Sequence, residues 1–266
     1  MNTRINNRIY RYFTYILIAA SISLLAACGG GDSGPAAANP TGYYTGTADV
    51  VDCAAQPVNI TDLQGLVDGN RFMAMSEAQE LLYDGTITSI SGNSFSATVK
   101  VYKDGALVAG SSTSFTGTIT QSDKIIGTFG AGTWSGEFTL GYEEITNVAS
   151  WDTVKSEVGE YWGGSDLTYA STDPQFQLDA NGLVISPSLV GGGVMGGCEF
   201  NGDAIVPVAN TRLYRLTVVV GLCGNLNGTY IGLATTKGSN NNTLVMAIAL
   251  GDYANASDYI RRTDLP

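Results

Sequence analysis

The residues best placed to do chemistry in this 266-residue chain are acids beside aromatic rings: Asp152, Glu157, Glu160 and Asp166 surround Trp151, Tyr161 and Trp162. Glycoside hydrolysis needs two carboxylates facing each other across a sugar, on which aromatic rings commonly stack. A carbohydrate-active or other hydrolytic protein using carboxylates near Trp162 is therefore one expectation. The opposing expectation is that these acids are solvated beside a linker and the first strand of a module, and the rest of the sequence favours it. The chain has no histidine, which removes Ser-His-Asp and Cys-His designs and His-ligated zinc. No G-x-S-x-G elbow occurs, and none of the lysines stands in an S-x-x-K motif. Cysteines without C-x-x-C spacing and the lack of an EF-hand loop predict no metal site, and no cofactor is expected. What remains is binding. The tandems Tyr43-Tyr44 and Tyr161-Trp162 are the candidate ligand contacts, although adjacent strand residues face opposite ways, so one of each pair should enter the core.

Those aromatics must be carried by strands. There are 34 glycines, and charged residues make up only 14% of the chain. Short Thr/Val/Tyr runs lie between turn signals such as Asp68-Gly69-Asn70, Gly92-Asn93 and Lys103-Asp104-Gly105. Phe95, Ala97, Val99 and Val101 alternate with polar neighbours, as do Trp134, Gly136, Phe138 and Leu140; Leu244, Met246, Ile248 and Leu250 share a face. Period 2 predicts antiparallel strands with one buried face. Short helical turns are expected at residues 61–66 and 76–81.

The pattern repeats. Gly42-Tyr43-Tyr44-Thr45-Gly46 corresponds to Gly159-Glu160-Tyr161-Trp162-Gly163, and Tyr83-Asp84-Gly85 to Phe200-Asn201-Gly202, at the same offset. Thr98-Val99-Lys100-Val101 then corresponds to Thr217-Val218-Val219-Val220 after a small insertion. The expected fold is all-β, with two tandem, degenerately repeated small antiparallel modules of about six or seven strands, each a barrel or sandwich. Module boundaries fall at residues 42–150 and 151–266.

Residues 1–27 read as an address. Arg4, Arg8 and Arg11 precede an apolar run over residues 15–27, too short for the roughly 20 residues of a membrane span. The run ends in Leu25-Ala26-Ala27-Cys28, which resembles the bacterial lipobox. The resemblance implies cleavage before Cys28, acylation of that cysteine and, with glycine at position 29, passage to the outer membrane. Several acyl chains anchor a protein stably, each buried CH₂ contributing about 0.8 kcal/mol. Residues 28–41 (CGGGDSGPAAANPT) then read as the lipidated cysteine and a flexible tether. The formal charge of −11 becomes −14 when the three arginines leave, with 10 basic against 24 acidic residues. That charge predicts no nucleic-acid partner and leaves the lipid as the sole membrane contact.

Three cysteines remain in the modules. A hairpin over residues 197–224 with its tip at Asn210-Thr211 sets Cys198 directly across from Cys223. Facing Cα atoms lie about 4.5–5.5 Å apart, within disulfide reach. Cys53 is left as a buried thiol, an intermolecular link or the true partner of one of the other two.

The run Cys198-Glu199-Phe200-Asn201-Gly202, then Cys223, then Asn227-Gly228-Thr229-Tyr230-Ile231-Gly232-Leu233-Ala234 resembles the pattern of two-module, β-rich outer-membrane lipoproteins of proteobacteria. The resemblance covers about residues 198–234. It implies a non-enzymatic binding or structural scaffold in the envelope or on the surface, facing periplasm or exterior. The partners expected are the membrane, through Cys28, and an envelope protein or glycan. The resemblance brings no catalytic residue.

Overall fold

The computed structural model describes residues 36–51, 56–130, 134–144, 159–163, 175–178, 184–185, 199–221, 224–237 and 243–261. For residues 159–163, 175–178, 184–185, 199–207, 255 and 257–261 it describes the backbone alone. From Ala37 onward the chain forms one compact unit.

The alternating segments become strands, all paired antiparallel. In the first half these are β1 (Gly42–Val51), β2 (Pro57–Asp68), β3 (Arg71–Ser76), β4 (Leu81–Ser91), β5 (Ser94–Lys103), β6 (Ala106–Leu107), β7 (Thr113–Thr120), β8 (Lys124–Gly130) and β9 (Ser135–Tyr142). Neighbours pair in turn, β5 reaches past the short β6 to β7, and β9 returns to β1, closing a ring of eight strands. The second half supplies β10 (Gly159–Gly163), β11 (Gln175–Leu178), β12 (Val184–Ile185), β13 (Glu199–Pro207), β14 (Leu213–Gly221), β15 (Gly228–Lys237), β16 (Thr243–Leu250) and β17 (Tyr253–Arg261). Here β17 pairs back onto β10, so these eight strands also close.

Among the described residues each module closes as a ring of eight strands, where the sequence predicts six or seven. The matched sequence segments fall on the first, fourth and fifth strand of each ring: β1 and β10, β4 and β13, β5 and β14. Residues 61–66 belong to strand β2 and show no helical turn, while residues 77–80 make the tight β3–β4 turn.

The first barrel is filled. Phe115 and Phe129 stack with centroids 4.6 Å apart, Phe138 lies 5.4 Å from Phe115, and Tyr83 meets Phe129 edge-on at 5.7 Å. An eight-stranded ring is just wide enough for side chains to fill. Two spaces among the packed side chains, one beside Phe115, Phe129 and Tyr83 and one beneath Pro40, measure about 10 Å³ each, room for one water at most. Closure also needs close approach of backbones. A Cβ on Gly46 would sit 1.9 Å from the Thr139 carbonyl oxygen, and the register of β1 against β2 slips between Gly46 and Ala48. Glycine there lets the wall bend.

The barrels join wall to wall. Tyr43, Leu66, Met73, Met75, Leu82 and Tyr102 from the first pack against Val208, Leu213, Leu233, Val245, Ala247, Ala249 and Ala254 from the second. Strand β6 bridges them by pairing Ala106 with Tyr253. Strands at this junction are buried on both faces: β16 buries Leu244, Met246 and Ile248 and also the intervening Val245, Ala247 and Ala249.

Part of the expected tether over residues 28–41 is described. Residues 37–41 lie across the mouth of the first barrel. The Ala38 N–H donates to the Gly92 carbonyl at 2.9 Å, the Tyr44 hydroxyl to the Pro40 carbonyl at 2.8 Å, and the Gly69 N–H to the Thr41 hydroxyl at 3.0 Å. Pro40 covers the interior beside Ile87, Phe95 and Ile119.

Candidate binding surface

Of the four candidate aromatics, Tyr43 and Tyr44 have described side chains, and both are buried. Tyr44 points into the first barrel, fully buried, with its ring edge-on to Tyr142 at 5.4 Å. Tyr43 points outward from the same strand but is also buried, because the second barrel covers it; its hydroxyl donates to Gln64 Oε1 at 2.8 Å. Neither ring is open to a ligand in solvent. The expectation that one tyrosine faces the core and the other faces out is met in direction, and the outward one is covered by the neighbouring barrel. Tyr161 and Trp162 lie on β10, where their side chains are outside the described residues, as is that of Glu160. Asp152, Glu157, Asp166, Cys28, Cys53, Cys198 and Cys223 also lie outside them.

The register beside the last two cysteines is described. From the tip, Pro207 faces Tyr214 and Ala204 faces Thr217, as the sequence-derived hairpin requires. Between Gly202 and Ala204 the register then shifts by one, so Glu199 faces Gly221. Asp203 is the extra residue of that bulge. The straight ladder that set Cys198 directly across from Cys223 therefore does not extend to the last described pair.

What the first barrel shows to solvent is a hydroxyl-rich wall. Along β7 the outward residues are Ser114, Thr116, Thr118 and Thr120, with Thr128 on β8 and Thr139 on β9. Registers align them in rows: Ser96 faces Thr116, which faces Thr128, which faces Glu137, which faces Asp49. Asp49 accepts a hydrogen bond from Asn59 Nδ2 at 2.6 Å. A barrel with an aromatic interior and a wall of threonine and charge is the inverse of a membrane-spanning barrel, whose lipid-facing band is apolar. The alternation in residues 113–120 carried the signal for outward threonines; the cross-strand rows depend on registers that composition does not give.

Around the junction runs a polar rim. Arg71 donates to Asp84 Oδ1 at 2.9 Å and to the Ile231 carbonyl at 3.3 Å, tying the first barrel to the second. Arg215 of β14 makes a two-pronged pair with Asp68 at the β2–β3 turn, Lys237 Nζ donates to Gln64 Oε1 at 3.2 Å, and the Tyr102 hydroxyl to the Gly251 carbonyl at 2.8 Å. Burial pushes the Tyr102 phenol up to about 12, with Asp84 and Asp252 adding to it.

No family model matches the chain, and no curated protein is similar to it. Among solved structures it is similar to the crystal structure of the isotype 1 transferrin binding protein B from serogroup B Neisseria meningitidis, at 9% identity and a TM-score of 0.28. That similarity covers 77% of this chain and 59% of the other.

Asp84 offers a test of the rim. Burial raises its carboxyl above the ordinary value, and Arg71 and Lys100 offset this only in part. A carboxyl whose pKa is raised by folding holds its proton more tightly when folded. Its contribution is present in acid and is lost as pH rises through the folded value. In urea titrations, wild type should therefore gain stability relative to Asp84→Asn on going from about pH 7 to about pH 4. A gap moving the other way would mean that the Arg71 pair outweighs burial.

Proposed function

We propose that this chain is an outer-membrane lipoprotein in which Cys28 carries the lipid and two fused β modules, over residues 42–150 and 151–266, form a non-enzymatic scaffold. It binds an envelope or surface partner, a protein or a glycan. The observation that carries the reading is the aromatic filling of the first barrel, where two internal spaces measure only about 10 Å³ each; a larger hollow of about 320 Å³ lies outside it, at the mouth between Ala37–Pro40 and Ile87–Ile90. For the first barrel, recognition then belongs on the outside, and its Ser/Thr wall from Ser96 to Asp49 offers hydroxyl and carboxylate partners suited to hydrogen-bonded contact. The Leu25-Ala26-Ala27-Cys28 motif and the short apolar run before it support the anchor.

The anchor is tested by growing cells on a clickable fatty acid and comparing wild type with Cys28→Ser. Wild type should take up the label and sediment with outer membranes. Cys28→Ser should lose the label and leave that fraction. Label retained on the serine variant would sink the proposal.

A further inference from the structure

We infer that the mouth of the first barrel bearing the β2–β3, β4–β5 and β7–β8 turns faces the bilayer, held close to it by a clamped and shortened tether. This rests on the proposed lipidation of Cys28 and on the flexible tether proposed from the composition of the residues that follow it, and adds to them an orientation that the motif alone does not give.

Three separate turns hold the incoming chain. The Ala38 N–H binds the Gly92 carbonyl of the β4–β5 turn, the Gly69 N–H of the β2–β3 turn binds Thr41, and the Asn39 N–H reaches Gln121 Oε1 of the β7–β8 turn at 3.4 Å. Pro40 sits between them, its carbonyl taken by the Tyr44 hydroxyl from inside the barrel. Ala38 is only 8% exposed. The chain therefore leaves from across the mouth, at one end of the barrel axis and not from its flank.

Only nine peptide steps separate Cys28 from Ala37. Fully extended they span at most about 30 Å, and as a Gly-rich coil their root-mean-square reach is about 15–18 Å. The ten residues of β1 rise about 33 Å along the strand, or about 25 Å along the axis after an ordinary barrel tilt. The tether is thus shorter on average than the barrel is long. The mouth stays near the headgroups, and the opposite end, with the β3–β4 turn and the Asp104-Gly105 turn, is carried outward. The same end of the barrel also releases the linker to β10, since Tyr142 ends β9 beside the start of β1.

The test uses the full lipidated chain in phosphatidylethanolamine/phosphatidylglycerol vesicles. A fluorescent unnatural residue is placed at Asn93 on the mouth or at Ala78 on the opposite end, both exposed. Energy transfer to a headgroup acceptor should be several-fold stronger from position 93 than from position 78. Lengthening the tether by twenty Gly/Ser residues raises its mean reach to about 30 Å, and the ratio should fall toward one. Equal transfer from both positions in vesicle-bound protein, or a ratio unmoved by the longer tether, would overturn the orientation alone. Failure of the chain to float with vesicles would overturn the lipidation and the orientation with it.

Discussion

Replacing Met73 by aspartate should destabilise the chain by about 3–5 kcal/mol, the scale of an uncompensated buried charge. Met73 lies on β3, fully buried, in the apolar layer where the two barrels meet. Its own barrel would have tolerated a polar residue there, because the side chain points away from the interior that holds Phe72 and Ala74. The cost arises from the second barrel, which excludes water from this face. The cation two residues away gives little relief: Arg71 already binds Asp84 and the Ile231 carbonyl, so a new carboxylate must take it from them or stay unpaired. Met73→Leu keeps the volume and should cost less than about 1.5 kcal/mol. Urea midpoints of the two variants check the pair. An aspartate variant within about 1 kcal/mol of wild type would mean that water reaches this layer.

Phe115→Ala should cost a similar amount, about 3–5 kcal/mol, for a different reason. Phe115 is the hub of the aromatic filling, in ring contact with Phe72, Tyr83, Phe129 and Phe138. A closed ring of strands cannot collapse onto the missing ring, since that would break ladder hydrogen bonds around the wall, so most of the cavity persists. Thr116, the next residue, faces solvent, and Thr116→Ala should move stability by less than about 0.5 kcal/mol. The contrast between neighbours is read from thermal or urea unfolding. A small loss at Phe115 would show that the wall can contract.

The parts of this fold legible in the sequence are those where one face is wet. Residues 95–101 and 134–140 alternate cleanly, and the structure places them as strands with one face in the first barrel. At the junction the alternation fails. The runs Phe72-Met73-Ala74-Met75, Leu81-Leu82-Tyr83 and residues 244–249 are apolar throughout because each side chain meets either its own barrel or the neighbour. Of the period-2 face Leu244, Met246, Ile248 and Leu250, the first three are buried and Leu250 is exposed, while the intervening Val245, Ala247 and Ala249 join the barrels. Tyr43 follows the same rule: its outward direction follows from sequence, its covering does not.

The hairpin from β13 to β14 shows a second limit. Its tip and first pairs follow from turn chemistry, yet one bulge at Asp203 shifts the described pairs beyond it, from Gly202 to Glu199. Gly202 marked the place where curvature was needed, but not that a residue would be added there. Likewise, the composition of residues 28–41 announced a linker, whereas Tyr44, three residues beyond it and inside the barrel, captures its last part.

The two-sided burial of β3 and β16 has a consequence for the history of the chain. A duplicated gene can usually lose one copy again, but here a product stopped after β9 would present Met73, Met75, Leu82 and Tyr102 as a bare apolar face. Such a face on a lone monomer invites association with whatever is nearby. Once the walls had adapted to each other, trimming either half became a solubility defect. The two halves are therefore held together by contact chemistry at a face that neither can leave bare.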